Sequence, residues 1–170
     1  KKDLTGQEEI PGAKMQIRDE KGAVVDEWNS GTTPHEVMGI LEAGKTYSLH
    51  EETAPDGYGY ASDVLFTVSM DGKPDKVEMR DAPTCAELSK TDITGGRELP
   101  GAKMEVLDQK GNRICQWIST EKPYKLTGVL KAGETYTLRE TAPPDGYAWG
   151  TDVKFTVSKD GSVGRVRMKD

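Results

Sequence analysis

The chain has 170 residues, 34% of them hydrophobic and 31% charged, with a formal net charge of −6. No apolar run approaches the ~20 residues of a membrane-spanning helix, and no charged start followed by an apolar stretch marks a signal peptide. The acidic balance argues against nucleic-acid binding, which needs a basic surface, and two cysteines are too few for a disulfide scaffold.

The 19 Gly and 9 Pro punctuate well-patterned segments, which argues against disorder. In chain order, IPGAKM at 10–15 comes first, then EAGKTYSL at 42–49, PDGY at 55–58, DVLFTVSMDG at 63–72 and KVEMRD at 76–81. Each returns 89 residues later: LPGAKM at 99–104, KAGETYTL at 131–138, PDGY at 144–147, DVKFTVSKDG at 152–161 and RVRMKD at 165–170. Residues 1–81 align with 90–170 without a gap, and roughly 39 of the 81 pairs are identical, far beyond chance.

Two homologous domains are therefore expected, at 1–83 and 84–170. The joining stretch 82–89 is expected to open the first strand of domain two. Residues 1–81 carry 9 basic and 17 acidic residues against 14 and 12 in 82–170, which reads as drift of solvated faces. Residues 64–68 alternate apolar and polar in part; 102–106, 136–138 and 166–168 alternate throughout. Turn signals such as DEKG, TTPH, EAGK, APDGY and MDGK recur every 8 to 15 residues, and no window keeps a helical period. About seven short strands per repeat predict two tandem antiparallel β-sandwiches of Ig-like or transthyretin-like type.

Residues i and i+2 share a face of a strand. Tyr136 and Leu138 face inward and carry Glu140 with them; Val166 and Met168 carry Asp170; Leu88 carries Lys90. In domain one the same phase aligns Tyr47, Leu49 and Glu51, and Val77, Met79 and Asp81, with Lys1 in the place of Lys90. Each domain thus turns a Lys, a Glu and an Asp toward its own interior. Buried charges must pair, neutralise or react. A strand-end ion pair is one reading. The other is covalent: a desolvated Lys becomes a nucleophile, a desolvated Asp an electrophile, and a Glu between them moves protons. The product is a Lys–Asp amide, accelerated by proximity.

The sequence resembles the B-type repeat of Gram-positive collagen adhesins, also called the SpaA-like or prealbumin-like pilin domain. The resemblance covers both repeats and is carried by 89–108, the Trp-Ile-Ser-Thr stretch at 117–120, TYTLRETAPPDGY at 135–147, DVKFTV at 152–157 and RVRMKD at 165–170. It implies a spontaneous intramolecular isopeptide bond in each domain: Lys1 to Asp81 and Lys90 to Asp170, promoted by Glu51 and Glu140. It further implies a stalk or spacer module of an adhesin or pilin on the bacterial surface, extracellular and wall-anchored through another region, with neighbouring repeats as partners. In domain one, Glu52 rivals Glu51 and Lys2 rivals Lys1. Closing a loop of about 80 residues would stabilise each domain by roughly 4–5 kcal/mol on the disulfide analogy.

The alternative function is a ligand-binding adhesin module contacting a host protein or glycan. Tyr60 and Trp149, just after the PDGY turns, are where such a contact would sit. Trp28 and Trp117 read as packing residues, and His35 and His50 as surface residues without metal-ligand spacing. Cys85 and Cys115 read as free thiols, with a disulfide between them as the lesser alternative. No phosphate loop, nucleophile elbow or zinc motif occurs, so no cofactor, metal, turnover chemistry or membrane insertion is expected, and the chain reads as a monomer.

Overall fold

The computed structural model describes residues 1–71 and 75–170; Gly72 and Lys73 of the expected MDGK turn lie outside them. Every regular element among the described residues is a strand. Domain one contains β1 (Lys2–Asp3), β2 (Lys14–Arg18), β3 (Val24–Asn29), β4 (Thr46–Thr53), β5 (Val64–Thr67) and β6 (Arg80–Asp81). Domain two contains β7 (Cys85–Thr91), β8 (Lys103–Leu107), β9 (Arg113–Ile118), β10 (Tyr124–Thr127), β11 (Thr135–Ala142), β12 (Val153–Thr156) and β13 (Val166–Lys169).

Each domain has one antiparallel four-stranded sheet, ordered β3-β2-β4-β5 in domain one and β12-β11-β8-β9 in domain two. The facing sheet is β1-β6 in the first and β10-β7-β13 in the second. First and last strands pair parallel in both domains, with Asp3 beside Asp81 and Met168 beside Lys90. The sandwiches are antiparallel except at this pairing. In domain two, strand β10 pairs with residues 85–88, which precede the Lys90 segment.

Period-two alternation builds both cores. In β11, Tyr136, Leu138 and Glu140 are buried in turn, and in β4 so are Tyr47, Leu49 and Glu51. Domain two packs these against Leu88, Met104, Val106, Phe155 and Met168. Domain one has a smaller buried set: Ala13, Met15, Ile17, Tyr47, Leu49 and Met79. In β7 both faces are buried, since Ser89 and Thr91 are as enclosed as Leu88 and Lys90. The sequence phase resolved only the Leu88–Lys90 face. Tyrosine hydroxyls tie matching loops to each core: Tyr47 accepts the N–H of Glu42 at 3.0 Å and Tyr136 that of Lys131 at 2.9 Å.

The connection between the domains is part of the fold. Strand β7 begins at Cys85, so most of the stretch 82–89 belongs to domain two. Thr84 is fully buried. Its N–H donates to Gly57 O at 2.8 Å, its hydroxyl to Leu130 O at 2.9 Å, and its carbonyl accepts the N–H of Gly128 at 2.8 Å. The turn at 56–60 enters between two loops of domain two: the Tyr60 N–H donates to Lys159 O at 2.7 Å, and Asp56 pairs with Lys131 at 3.0 Å. Gly57 and Gly59 are buried there. A Cβ on Gly57 would overlap the carbonyl of Gly128, and one on Gly59 that of Asp160.

Leu138 is fully buried opposite Val106 in the middle of the larger core. Leu138→Ala should destabilise domain two by about 3 kcal/mol, as buried Leu truncations do. Denaturant unfolding followed by domain-two amide signals should register this, with domain one unmoved.

Candidate functional site

Two homologous clusters stand out because they are ionisable and enclosed. In domain two, Lys90 Nζ lies 2.9 Å from Glu140 Oε1 and in direct contact with Asp170 Oδ1, with side-chain exposures of 1% for the lysine and 0% for both carboxylates. In domain one, Lys1 Nζ lies 2.8 Å from Glu51 Oε1 and touches Asp81 Oδ1, equally enclosed. The lysine comes from the first strand segment, the aspartate ends the last, and the glutamate projects from the central strand of the opposite sheet.

The glutamates sit at a backbone irregularity that alternation alone does not reveal. In β11 the register with β8 shifts between Glu140 and Ala142, and in β4 the register with β2 jumps from Glu51 to Thr53. A bulge leaves one residue unpaired and re-aims its neighbour. The extra residue is Thr141 in domain two and Glu52 in domain one. Glu52 therefore points outward, where it meets Arg18 at 3.1 Å and His50 at 3.5 Å. The rival lysine is also turned away: Lys2 Nζ donates to Gly6 O at 3.0 Å.

The second oxygen of each glutamate is held by a backbone donor from the loop after the PDGY turn. Gly150 N–H reaches Glu140 Oε2 at 2.8 Å, and Ala61 N–H reaches Glu51 Oε2 at 2.9 Å. This leaves Oε1 for the lysine. The far oxygens, Asp81 Oδ2 and Asp170 Oδ2, are buried without a hydrogen-bond partner. A charged carboxylate is poorly served by such a place. Burial pushes the Asp81 carboxyl up to about 6; Glu51 pushes the same way, and Lys1 opposes both. Fully ionised, each cluster would hold one positive and two negative charges away from water, which is costly unless a proton or a covalent bond removes some of that charge.

The family model for the SpaA prealbumin-like fold domain matches residues 1–83 and again 85–170. The chain belongs to that family, in two tandem copies. Among solved structures, the Bacillus anthracis TIE protein aligns over 99% of this chain at 22% identity and a TM-score of 0.50. The shaft pilin SpaA of Lactobacillus rhamnosus GG aligns over 95% of this chain and 87% of its own, at 14% identity and a TM-score of 0.43. The pilus adhesin SpaC of the same organism aligns over 99% of this chain at 15% identity and a TM-score of 0.46. The chain spans 32% of the TIE protein's length and 30% of SpaC's. No curated protein matches it.

The other residues singled out in the sequence lie apart from the two clusters of these SpaA-type domains. Cys85 and Cys115 are both free thiols, not a disulfide. They sit on β7 and β9, in opposite sheets, and burial pushes the Cys115 thiol up. His35 stacks on Trp28 at 4.2 Å and meets Asp26 at 2.8 Å; His50 meets Asp63 at 2.7 Å. Trp117 stacks on Tyr124 at 4.3 Å. Among the described residues no group of side chains could hold a metal ion, and no helix is long and apolar enough to cross a membrane. Tyr60 is half-buried at the domain junction, whereas Trp149 is 64% exposed.

One asymmetry separates the clusters. A Cβ built on Gly150 would stand 2.7 Å from Lys90 Nζ, Asp170 Oδ1 and Met168 Sδ. Domain one has Ala61 at the matching position. Gly150→Ala should therefore cost domain two about 1–3 kcal/mol by overpacking. Ala61→Gly should cost domain one about 1 kcal/mol or less, through backbone entropy alone. Thermal unfolding of each variant measures the difference.

Proposed function

We infer that the chain is a stalk or spacer segment of a bacterial surface adhesin or pilin, extracellular, whose two domains each close an internal Lys–Asp amide. The observation that carries this reading is the enclosed contact of Lys1 with Asp81 and of Lys90 with Asp170, each with a glutamate within 3 Å of the amine. Family membership and the tandem arrangement support the setting.

The chemistry balances without any cofactor. Uncharged Lys90 Nζ attacks Cγ of the protonated Asp170 carboxyl. Glu140 takes a proton from the nitrogen and returns it to the departing oxygen. A C–N bond forms, a C–O bond breaks and one water leaves. Folding supplies the approach, since both groups are fixed in contact before reaction. In domain one, burial pushes the Asp81 carboxyl up, toward the protonated form that the reaction needs. Each site reacts once, so the protein is not a turnover enzyme.

Position gives the bond its mechanical role. Lys1 opens domain one and Asp81 closes it; Lys90 and Asp170 do the same for domain two. Tension entering at one end of a domain passes through the amide and bypasses the residues between. Trp28 and Trp117, the residues expected to pack, stack on His35 and Tyr124 within their own domains.

Intact mass of the denatured protein is the test. The expected value lies two waters below the sequence mass. Glu140→Ala should recover one water, Glu51→Ala one, and the double variant both. A mass equal to the plain sequence would overturn the crosslink. Loss of water that persists in Glu140→Ala would remove Glu140 from its role.

A further inference from the structure

The junction between the domains joins two unlike surfaces: the turn of domain one and a pair of loops of domain two. By the 89-residue repeat, domain two owns a copy of that turn, at 145–149. In domain one the turn is covered, with Gly57 and Gly59 buried and Tyr60 half-buried. In domain two every residue from Asp145 to Trp149 is exposed, with Tyr147 at 44% and Trp149 at 64%. Two large aromatic rings side by side on one exposed turn are a surface of the kind that marks an interaction site.

We propose that the Asp145–Trp149 turn is a docking surface for the loop pair of a further module of this fold, one that places a basic residue opposite Asp145. The first argument is continuity with the existing junction. Asp145 matches Asp56, which pairs with Lys131, and the Trp149 amide matches the Tyr60 amide, which donates to Lys159 O.

The second argument is charge, and it excludes a second copy of this chain as the occupant. The receiving loops of domain one carry Glu42 where domain two has Lys131, and Met70 where it has Lys159. Docked end to end, two copies would set Asp145 against Glu42, and like charges facing each other repel.

The third argument is steric. Ala148 stands where Gly59 lets the backbone of domain one approach Asp160 without overlap. The receiving loop must therefore sit further out, and the larger indole of Trp149, in place of the Tyr60 phenol, fills the added space. The surface selects a module with a basic loop residue, docked slightly further out than domain two is on domain one. This holds whether or not the Lys–Asp bonds form.

The test extends the chain beyond Asp170 with a second copy of residues 82–170, which recreates the Asp-Ala sequence of the natural junction. Amide hydrogen exchange is read at 145–149. The Trp149 amide should exchange at least tenfold more slowly than in the 170-residue chain, and Lys131→Glu in the appended copy should abolish the protection. Unchanged exchange, protection indifferent to Lys131→Glu, or protection that appears only after Ala148→Gly would each overturn the proposal. A second measurement uses the 170-residue chain. Gly59→Ala/Tyr60→Trp writes the domain-two turn into the existing junction, where the amide at position 60 should stay protected. Loss of that protection would equally overturn the proposal.

Discussion

Each domain is organised around a lysine held between two carboxylates in its interior. That contact joins the first strand to the last and both to the opposite sheet. The surrounding features serve it. Parallel pairing of the terminal strands brings their side chains to one face, with Met168 beside Lys90 and Asp170 one step further on. The bulge after Glu140 turns the glutamate inward from the other sheet. The Gly150 amide holds its outer oxygen. Methionines close the space around the cluster, with Met79 and Met168 each only 1% exposed. An unbranched, polarizable side chain suits such an irregular gap.

The two domains differ in how well they support the same arrangement. Domain two has a three-stranded sheet behind its lysine and the larger buried set. Domain one has two residues in each of its terminal strands. Its lysine is still fixed by main-chain bonds: the Lys1 carbonyl accepts the Ile10 N–H at 2.9 Å, and the Lys2 N–H donates to Met79 O at 2.9 Å. A small apolar core contributes little stability in a domain of about 80 residues. A covalent link from first strand to last would matter most there, because it limits the unfolded chain without requiring more core.

Much of this was legible from the residues. The repeat gave the tandem arrangement directly, and strict alternation in Tyr136-Leu138-Glu140 and Val166-Met168-Asp170 put the carboxylates inside. What alternation could not show was irregular or long-range. A bulge has no composition signature in HEET or RET: the Tyr47-Leu49 phase favours Glu51, but only the register shows how its rival Glu52 is turned outward. The burial of Ser89 and Thr91 depends on what covers the outer face of β7. The Tyr60 surface is closed by loops more than sixty residues away, which no local pattern reports. The close approach of Gly59 and Gly161, where a Cβ added to Gly161 would stand 3.1 Å from the Gly59 backbone, is likewise a property of two domains together.

Thr84 has a consequence for shape. Its amide, carbonyl and hydroxyl are all committed, to loops of both domains. The junction therefore has no swivel: turning one module about the long axis breaks hydrogen bonds belonging to both. In an array built with this joint, the pitch and bending stiffness of the rod would be written in the loops at 56–60, 128–131 and 159–161. Lengthening the connecting peptide by one residue would then change the helical phase of everything beyond it.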